Sequence, residues 1–294
     1  MTQTMNNAYL ALQGLATGNA FGNTFYKAAT RKGLVQRKLP ASPWLWTADT
    51  AMAVAVCQTL REHGTVDEET LVGHLIRHFE EDTFRNYGNG MFQILTLLSQ
   101  GQDWKYISPS FAGSGSHGNE AAVRALPVGA WFYEDMNRVQ KEAEKAAIVT
   151  HFHKEARSGA IAVACACALT LQTDILTADE FLSAVLDLTP PSLLRKRMEQ
   201  AGNIGREDLP LAIMLLGNGD KAAALDTVPL ALWISAHYRY RFKEALWTVA
   251  TAGGDCDSIG AIVGGISALA CGAVPPRWLE CREPLKHCAL SGNG

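Results

Sequence analysis

Apolar and polar positions alternate at helical spacing along nearly the whole chain. "TAMAVAVCQTLREHG" runs from Thr50 to a stop at Gly64, with Arg61 and His63 in its last turn, where cations suit the negative helix end. "DEETLVGHLIRHFEED" (67–82) puts Leu71, Leu75, Ile76 and Phe79 on one face. "EAEKAAIVTHFH" (142–153), "ARSGAIAVACACALTLQ" (156–172), "TADEFLSAVLDL" (177–188) and "TPPSLLRKRMEQAGNIG" (189–205) continue the series. Thr177 and Glu180 have the spacing of a capping box. No alternating strand pattern and no Ser/Gly-rich linker interrupts the run. The expectation is one all-α domain over residues 1–294, a compact multi-helix fold around very apolar central helices.

The two most apolar stretches are 159–171 and 259–274. Both are shorter than the ~20 residues of a membrane-spanning helix, so they read as buried helices. Their Gly and Ala content suits close packing. At 48% hydrophobic and 19% charged residues, the 294-residue chain can bury a substantial core. A net charge of −3 supplies no basic field for nucleic acid or an anionic membrane. The cysteines, Cys57, Cys165, Cys167, Cys256, Cys271, Cys281 and Cys288, are odd in number and form no Cys-x-x-Cys pair. With an N-terminus lacking a basic, then long apolar, signal pattern, they predict a reducing, cytoplasmic setting.

Four places differ from plain helical scaffold. Gly14, Gly18 and Gly22 are four apart and would line one helix face, allowing close backbone approach. "WTADT" places Thr47 and Asp49 at the start of an apolar helix. "GSGSHGNEAAVRALPVG" (113–129) is a Gly/Ser loop running into a helix start, either a flexible connection or a phosphate cradle of backbone N–H groups. "TAGGDCDSIGAIVGG" (251–265) sets Asp255, Asp257 and Ser258 before the most apolar helix. Capping accounts for one acidic residue there, not readily for two. Clustered carboxylates and hydroxyls suit a hard cation with oxygen ligands, and two such helix mouths brought together would make that site.

In this order, the motifs resemble the ADP-ribosylglycohydrolase family over nearly the whole chain. The similarity runs through "PWLWTADTAMAVAV", "GSHGNEAAVRALPVGAWF", "THFHKEARSGA", "GGDCDSIGAIVGGISALACG" and "VPPRWLE". It implies a compact all-α fold with a two-metal Mg²⁺ or Mn²⁺ site that hydrolyses the bond joining ADP-ribose to an acceptor on a protein or small molecule. The metal ligands it implies here are Thr47, Asp49, Asp255, Asp257 and Ser258, with Asp49, Asp255 and Asp257 carrying the catalytic charge. It assigns the diphosphate to Gly113, Ser114, Gly115, Ser116, His117, Gly118 and Asn119, and sets His151 near the ligand. His153 is equally open to a structural use.

The chain departs from the family pattern at defined positions. Ala48 stands where the resemblance expects a second Asp. Asn19 replaces an Asp of the N-terminal motif, Asn23 and Tyr26 occupy a region where related chains carry Glu, and Glu120 replaces a loop glycine. Each lost carboxylate is expected to weaken cation binding, at one or both sites. The principal expectation is therefore a metal-dependent hydrolase acting on ADP-ribosylated protein arginine, disabled to whatever degree Ala48 imposes. The alternative is a degenerate module that binds ADP-ribose without cleaving it.

Overall fold

A computed structural model of the chain describes residues 2–26, 28–172 and 177–285. The described residues form helices joined by short turns, with isolated β-bridges at Trp44–Arg282 and Gly118–Ala223 and no strand. Several ends fall where the sequence places them. The helix Ala48–His63 stops at Gly64, whose φ of 66° gives the left-handed cap. Asp67 caps Glu68–Glu81, and Thr177 with Glu180 closes a complete capping box on Ala178–Leu188.

Two expectations need shortening. Residues 189–205 yield only Leu193–Met198 and a 3₁₀ turn at Ala201–Asn203, because Ser192 opens the helix after Pro190 and Pro191. The helix Met136–Ile148 ends before His151, so His151 and His153 lie in the turn leading to Lys154–Gln172.

The centre is a pair of helices, Gln3–Asn23 and Cys256–Cys271, in backbone contact. A methyl group on Gly14, Gly18 or Gly22 would collide with the carbonyls of Gly264, Gly260 and Cys256 respectively. The four-residue glycine spacing is thus a seam between helices. At its lower end Phe21 packs on Trp44, Trp247 and Trp278, with centroids 5.3, 5.1 and 4.6 Å away. The helix Lys154–Gln172 is shared by two apolar clusters. Ala162, Val163 and Cys167 face the one around Phe21 and Trp233, whereas Ala160, Ile161 and Ala164 face the one around Met52 and Leu71.

No helix among the described residues is long and apolar enough to cross a membrane. Cys57, Cys165, Cys167 and Cys256 are buried, Cys281 is half-buried and Cys271 exposed; Cys288 lies outside the described residues.

Candidate active site

The glycine seam brings two helix mouths together. Ala48–His63 begins at Thr47 and Cys256–Cys271 at Asp255, and neither of these N-cap residues makes a side-chain cap hydrogen bond. Their oxygens turn toward each other. Thr47 Oγ1 donates to Asp257 Oδ2 at 3.0 Å, and Ser258 Oγ donates to Asp49 Oδ2 at 2.8 Å. Both helix dipoles point their positive ends at this acidic group, which offsets part of its repulsion.

Asn19 and Asn119 set the angles. Asn19 Oδ1 accepts from Thr47 N at 2.7 Å and Thr50 Oγ1 at 3.0 Å, while its Nδ2 donates to Thr47 Oγ1 at 2.8 Å. Asn19 therefore anchors this helix start from outside, through the N–H of its N-cap residue and the Thr50 hydroxyl. It is fully buried and does not line the cavity, so this departure from the family pattern subtracts no carboxylate from the wall. Asn23 is likewise structural, donating to Leu45 O at 2.8 Å. Asn119 Nδ2 donates to Asp255 Oδ2 at 2.6 Å and to Thr227 Oγ1 at 2.9 Å.

Tyr26 reaches across the mouth. Its hydroxyl lies 2.7 Å from Asp257 Oδ1 and 3.0 Å from Asp255 Oδ1. A phenol carries one proton, so it bridges the two acids by sharing that proton or by meeting an acid that carries its own. Burial, then the charges of Asp257 and Asp255, push the Tyr26 pKa up. Burial and then Asp257 also hold Asp49 and Asp255 well above the usual carboxylate range; Glu120 adds to the effect at Asp49.

These groups surround a cavity of about 310 Å³ lined by Tyr26, Thr47, Ala48, Asp49, Asn86, Gly88, Asn119, Glu120, Ala222, Asp255, Asp257 and Ser258. Among the described residues, four acids face it and no Lys, Arg or His does. Another cavity, of about 280 Å³, has a wall of mixed charge in which Arg85 pairs with Glu283 at 2.7 Å and Asp82 at 2.8 Å. Asn86 and Ala222 hold positive φ angles of 57° and 48° at the rim of the acidic cavity. For Ala222 that conformation costs about 1 kcal/mol, and it sets the carbonyl that accepts from Asn119 N at 3.2 Å.

The glycine loop contributes to this wall only at its end, through Asn119 and Glu120. Gly115 packs against Phe152 and His153. The N–H groups of Ser114 and Gly115 are bonded to Phe111 O, and that of Gly118 to Ser116 Oγ. Gly113 and His117 do not line the cavity. His151 is fully buried and reaches the cavity only through Glu120, 3.0 Å from its Nε2. His153 Nδ1 accepts from Glu155 N at 3.2 Å, a helix-start contact. Sequence reasoning missed Asn86, Gly88 and Ala222. The "NYGNG" run (86–90) carries a local signal, since Asn and Gly tolerate left-handed backbone, but Ala222 carries none.

Fold and cavity together define an all-helical protein with an acid-walled cleft at two helix N-termini. The chain belongs to the ADP-ribosylglycohydrolase family, whose sequence profile matches residues 1–290. It is 33% identical over 280 residues to an uncharacterized protein of Archaeoglobus fulgidus, covering 91% of this chain and 88% of that one. It is 26% identical over 287 residues to ADP-ribosylhydrolase ARH3 of Gallus gallus (84% and 76%). With ADP-ribosylarginine hydrolase Tri1 of Serratia proteamaculans it shares 22% over 302 residues (95% and 76%). An ADP-ribosylglycohydrolase-related protein complex has the same fold, with a TM-score of 0.65 at 21% identity over 96% of this chain and 94% of that one.

Proposed function

We propose that this chain hydrolyses the bond between ADP-ribose and a modified acceptor, with protein arginine as the acceptor and Mg²⁺ or Mn²⁺ as cofactor. The observation that carries the reading is a wall of four carboxylates, Asp49, Glu120, Asp255 and Asp257, with no cationic side chain among the described residues that line it. Such a wall needs positive charge from outside, and its all-oxygen donors fit a hard divalent ion. As they stand, no three His, Cys, Asp or Glu side chains among the described residues are grouped to hold one ion. The hydroxyls of Tyr26, Thr47 and Ser258 occupy several of the carboxylate oxygens instead.

In this reading Thr47, Asp49, Asp255, Asp257 and Ser258 are the ligands. A bound divalent ion orients ribose hydroxyls and acidifies water. Asp49, Asp255 and Asp257 stabilise the positive charge that develops at the anomeric carbon as the acceptor leaves. Asn119 and Tyr26 hold Asp255 in place, and Ser258 holds Asp49. The diphosphate is assigned to the Gly113–Asn119 loop on the outer side of the acidic wall, where only Asn119 lines the cavity, with His151 acting through Glu120. The odd number of cysteines, several of them buried among apolar helices, suits a reducing cytoplasm. Arginine as the acceptor draws support from the Serratia relative, an ADP-ribosylarginine hydrolase by name.

One observation favours a second reading, a module that binds ADP-ribose without turnover: at position 48 the cavity meets only a methyl group. The deciding measurement is ADP-ribose release from an ADP-ribosylated arginine protein with Mg²⁺ or Mn²⁺, comparing the chain with Ala48→Asp. Release by either supports the hydrolase. No release by either on any ADP-ribosylated acceptor ends that reading, and retained ADP-ribose binding then favours the module.

A further inference from the structure

Resting on the proposed cation site, we propose that Glu120 supplies the carboxylate that position 48 does not offer, so that the acidic wall is complete by a different route. Glu120 opens the short helix Glu120–Arg124, and its side chain is 13% exposed on the cavity shared with Ala48, Asp49, Asp255 and Asp257.

Its seat is built on three sides. A Cβ on Gly88 would collide with Glu120 Oε1, and one on Gly118 with Oε2, so both glycines leave the room the carboxylate fills. The third side is His151, whose Nε2 is 3.0 Å from Oε2. A buried chain fixes the imidazole behind it. Arg124 Nη2 donates to Thr150 Oγ1 at 2.6 Å. The Thr150 hydroxyl proton is thereby directed to His151 Nδ1, 2.8 Å away. Nδ1 then accepts, so Nε2 carries the proton and donates to Glu120. Arg124 itself is wholly internal, its Nε and Nη2 meeting Ala146 O and Ala147 O and its Nη1 the Met52 sulfur.

A glutamate placed by accident at a pocket rim would point to solvent. This one is held by a four-residue relay in space that two missing side chains vacate. The wall facing Ala48 thus has its fourth acid at 120, presented from the loop helix and not from the helix Ala48–His63.

The test is calorimetric titration of the full chain with Mg²⁺ and with Mn²⁺, using the parent, Glu120→Gln, Asp257→Ala and the double variant Ala48→Asp/Glu120→Gly. Glu120→Gln keeps the size and an acceptor for His151 but loses the charge. It is expected to weaken cation affinity about tenfold or more, and the double variant to return to within about threefold of the parent. Parent-like affinity in Glu120→Gln overturns the proposal. Should Glu120→Gln fail to fold, the double variant decides: near-parent affinity supports the exchange of carboxylates, and loss of binding overturns it. A parent that binds neither cation fails the underlying site reading. A parent that binds, with binding lost in Asp257→Ala and unchanged in Glu120→Gln, sinks only the role of Glu120.

Discussion

Asp67 and Asp255 occupy the same position, the N-cap of a helix, and their carboxylates face in different directions. Asp67 accepts from Thr70 N at 2.9 Å, and that bond holds its carboxyl below the usual range. Asp255 makes no cap bond; it takes Tyr26 and Asn119 as partners, and burial beside Asp257 holds it above that range. The threonines repeat the contrast. Thr177 accepts from Glu180 N, whereas Thr47 donates to Asp257 and leaves its helix start to Asn19. Identical residue types at identical positions therefore divide into those that stabilise a helix and those that destabilise the fold to keep oxygens facing a cavity. The second kind is where function is to be sought.

The largest expected effect removes the residue on which the non-capping mouth converges. Asp257 accepts from both Tyr26 and Thr47, one from each side of the cleft. Asp257→Ala is expected to weaken Mg²⁺ or Mn²⁺ binding more than about 100-fold and to abolish ADP-ribose release. Unchanged calorimetric affinity would put the cation site elsewhere. Next comes the seam that holds the two mouths together. Gly18→Ala places a methyl against Gly260 O and is expected to cost about 3 kcal/mol, read as a fall in denaturation midpoint. A parent-like midpoint would show that the helices separate at little cost, and the convergence of the two mouths would lose its structural basis.

The two kinds of acid also separate with pH. Asp49 has a raised folded-state pKa, so the folded state binds its proton more tightly than the unfolded chain does. Its penalty vanishes below the unfolded pKa of about 3.9 and is complete above the folded one. Asp49→Asn is accordingly expected to raise the cation-free Tm by about 2 °C near pH 8, the gain shrinking as the medium is acidified. Saturating Mg²⁺ should reverse the ranking, because only the parent then gains the full binding energy. A variant less stable than the parent in the absence of cation would contradict a strained acidic cluster.

These contrasts mark how far the sequence carries. Helical periodicity located the elements because burial repeats every 3.6 residues, and the glycines four apart announced the central seam. Thr47, Asp49, Asp255, Asp257 and Ser258 were legible as two acidic helix mouths, and they do meet. What sequence spacing leaves hidden is the direction a side chain takes once folded. Asn19 reads as a weakened ligand but anchors a helix start from outside, and His151 reads as a ligand contact but sits one residue behind the wall. Glu120 and Tyr26 read as departures, and both reach the cavity across large sequence separations that no local pattern encodes. The short region 193–203 failed for another reason, since Pro190 and Pro191 limit a helix that composition alone would lengthen.

The smallest effect tests the ordinary cap. Asp67→Ala removes the acceptor for Thr70 N at the start of Glu68–Glu81 and is expected to cost about 1 kcal/mol at neutral pH. The sign of its pH dependence is opposite to that of Asp49. A lowered folded-state pKa gives stability that is present above the unfolded value and lost as pH falls through the folded one, so the deficit of the variant should narrow in acid. Divalent cation should leave that deficit untouched, because Asp67 does not line the acidic cavity. Differential scanning calorimetry of parent, Asp67→Ala and Asp49→Asn, each with and without Mg²⁺ at two pH values, reads all of these signs at once. If Asp67→Ala and Asp49→Asn shift Tm in the same direction without cation, the division between capping and cavity-facing acids is not an energetic one. If they shift oppositely, and only Asp49→Asn changes its response to Mg²⁺, the orientation of the carboxylate at a helix mouth predicts its use.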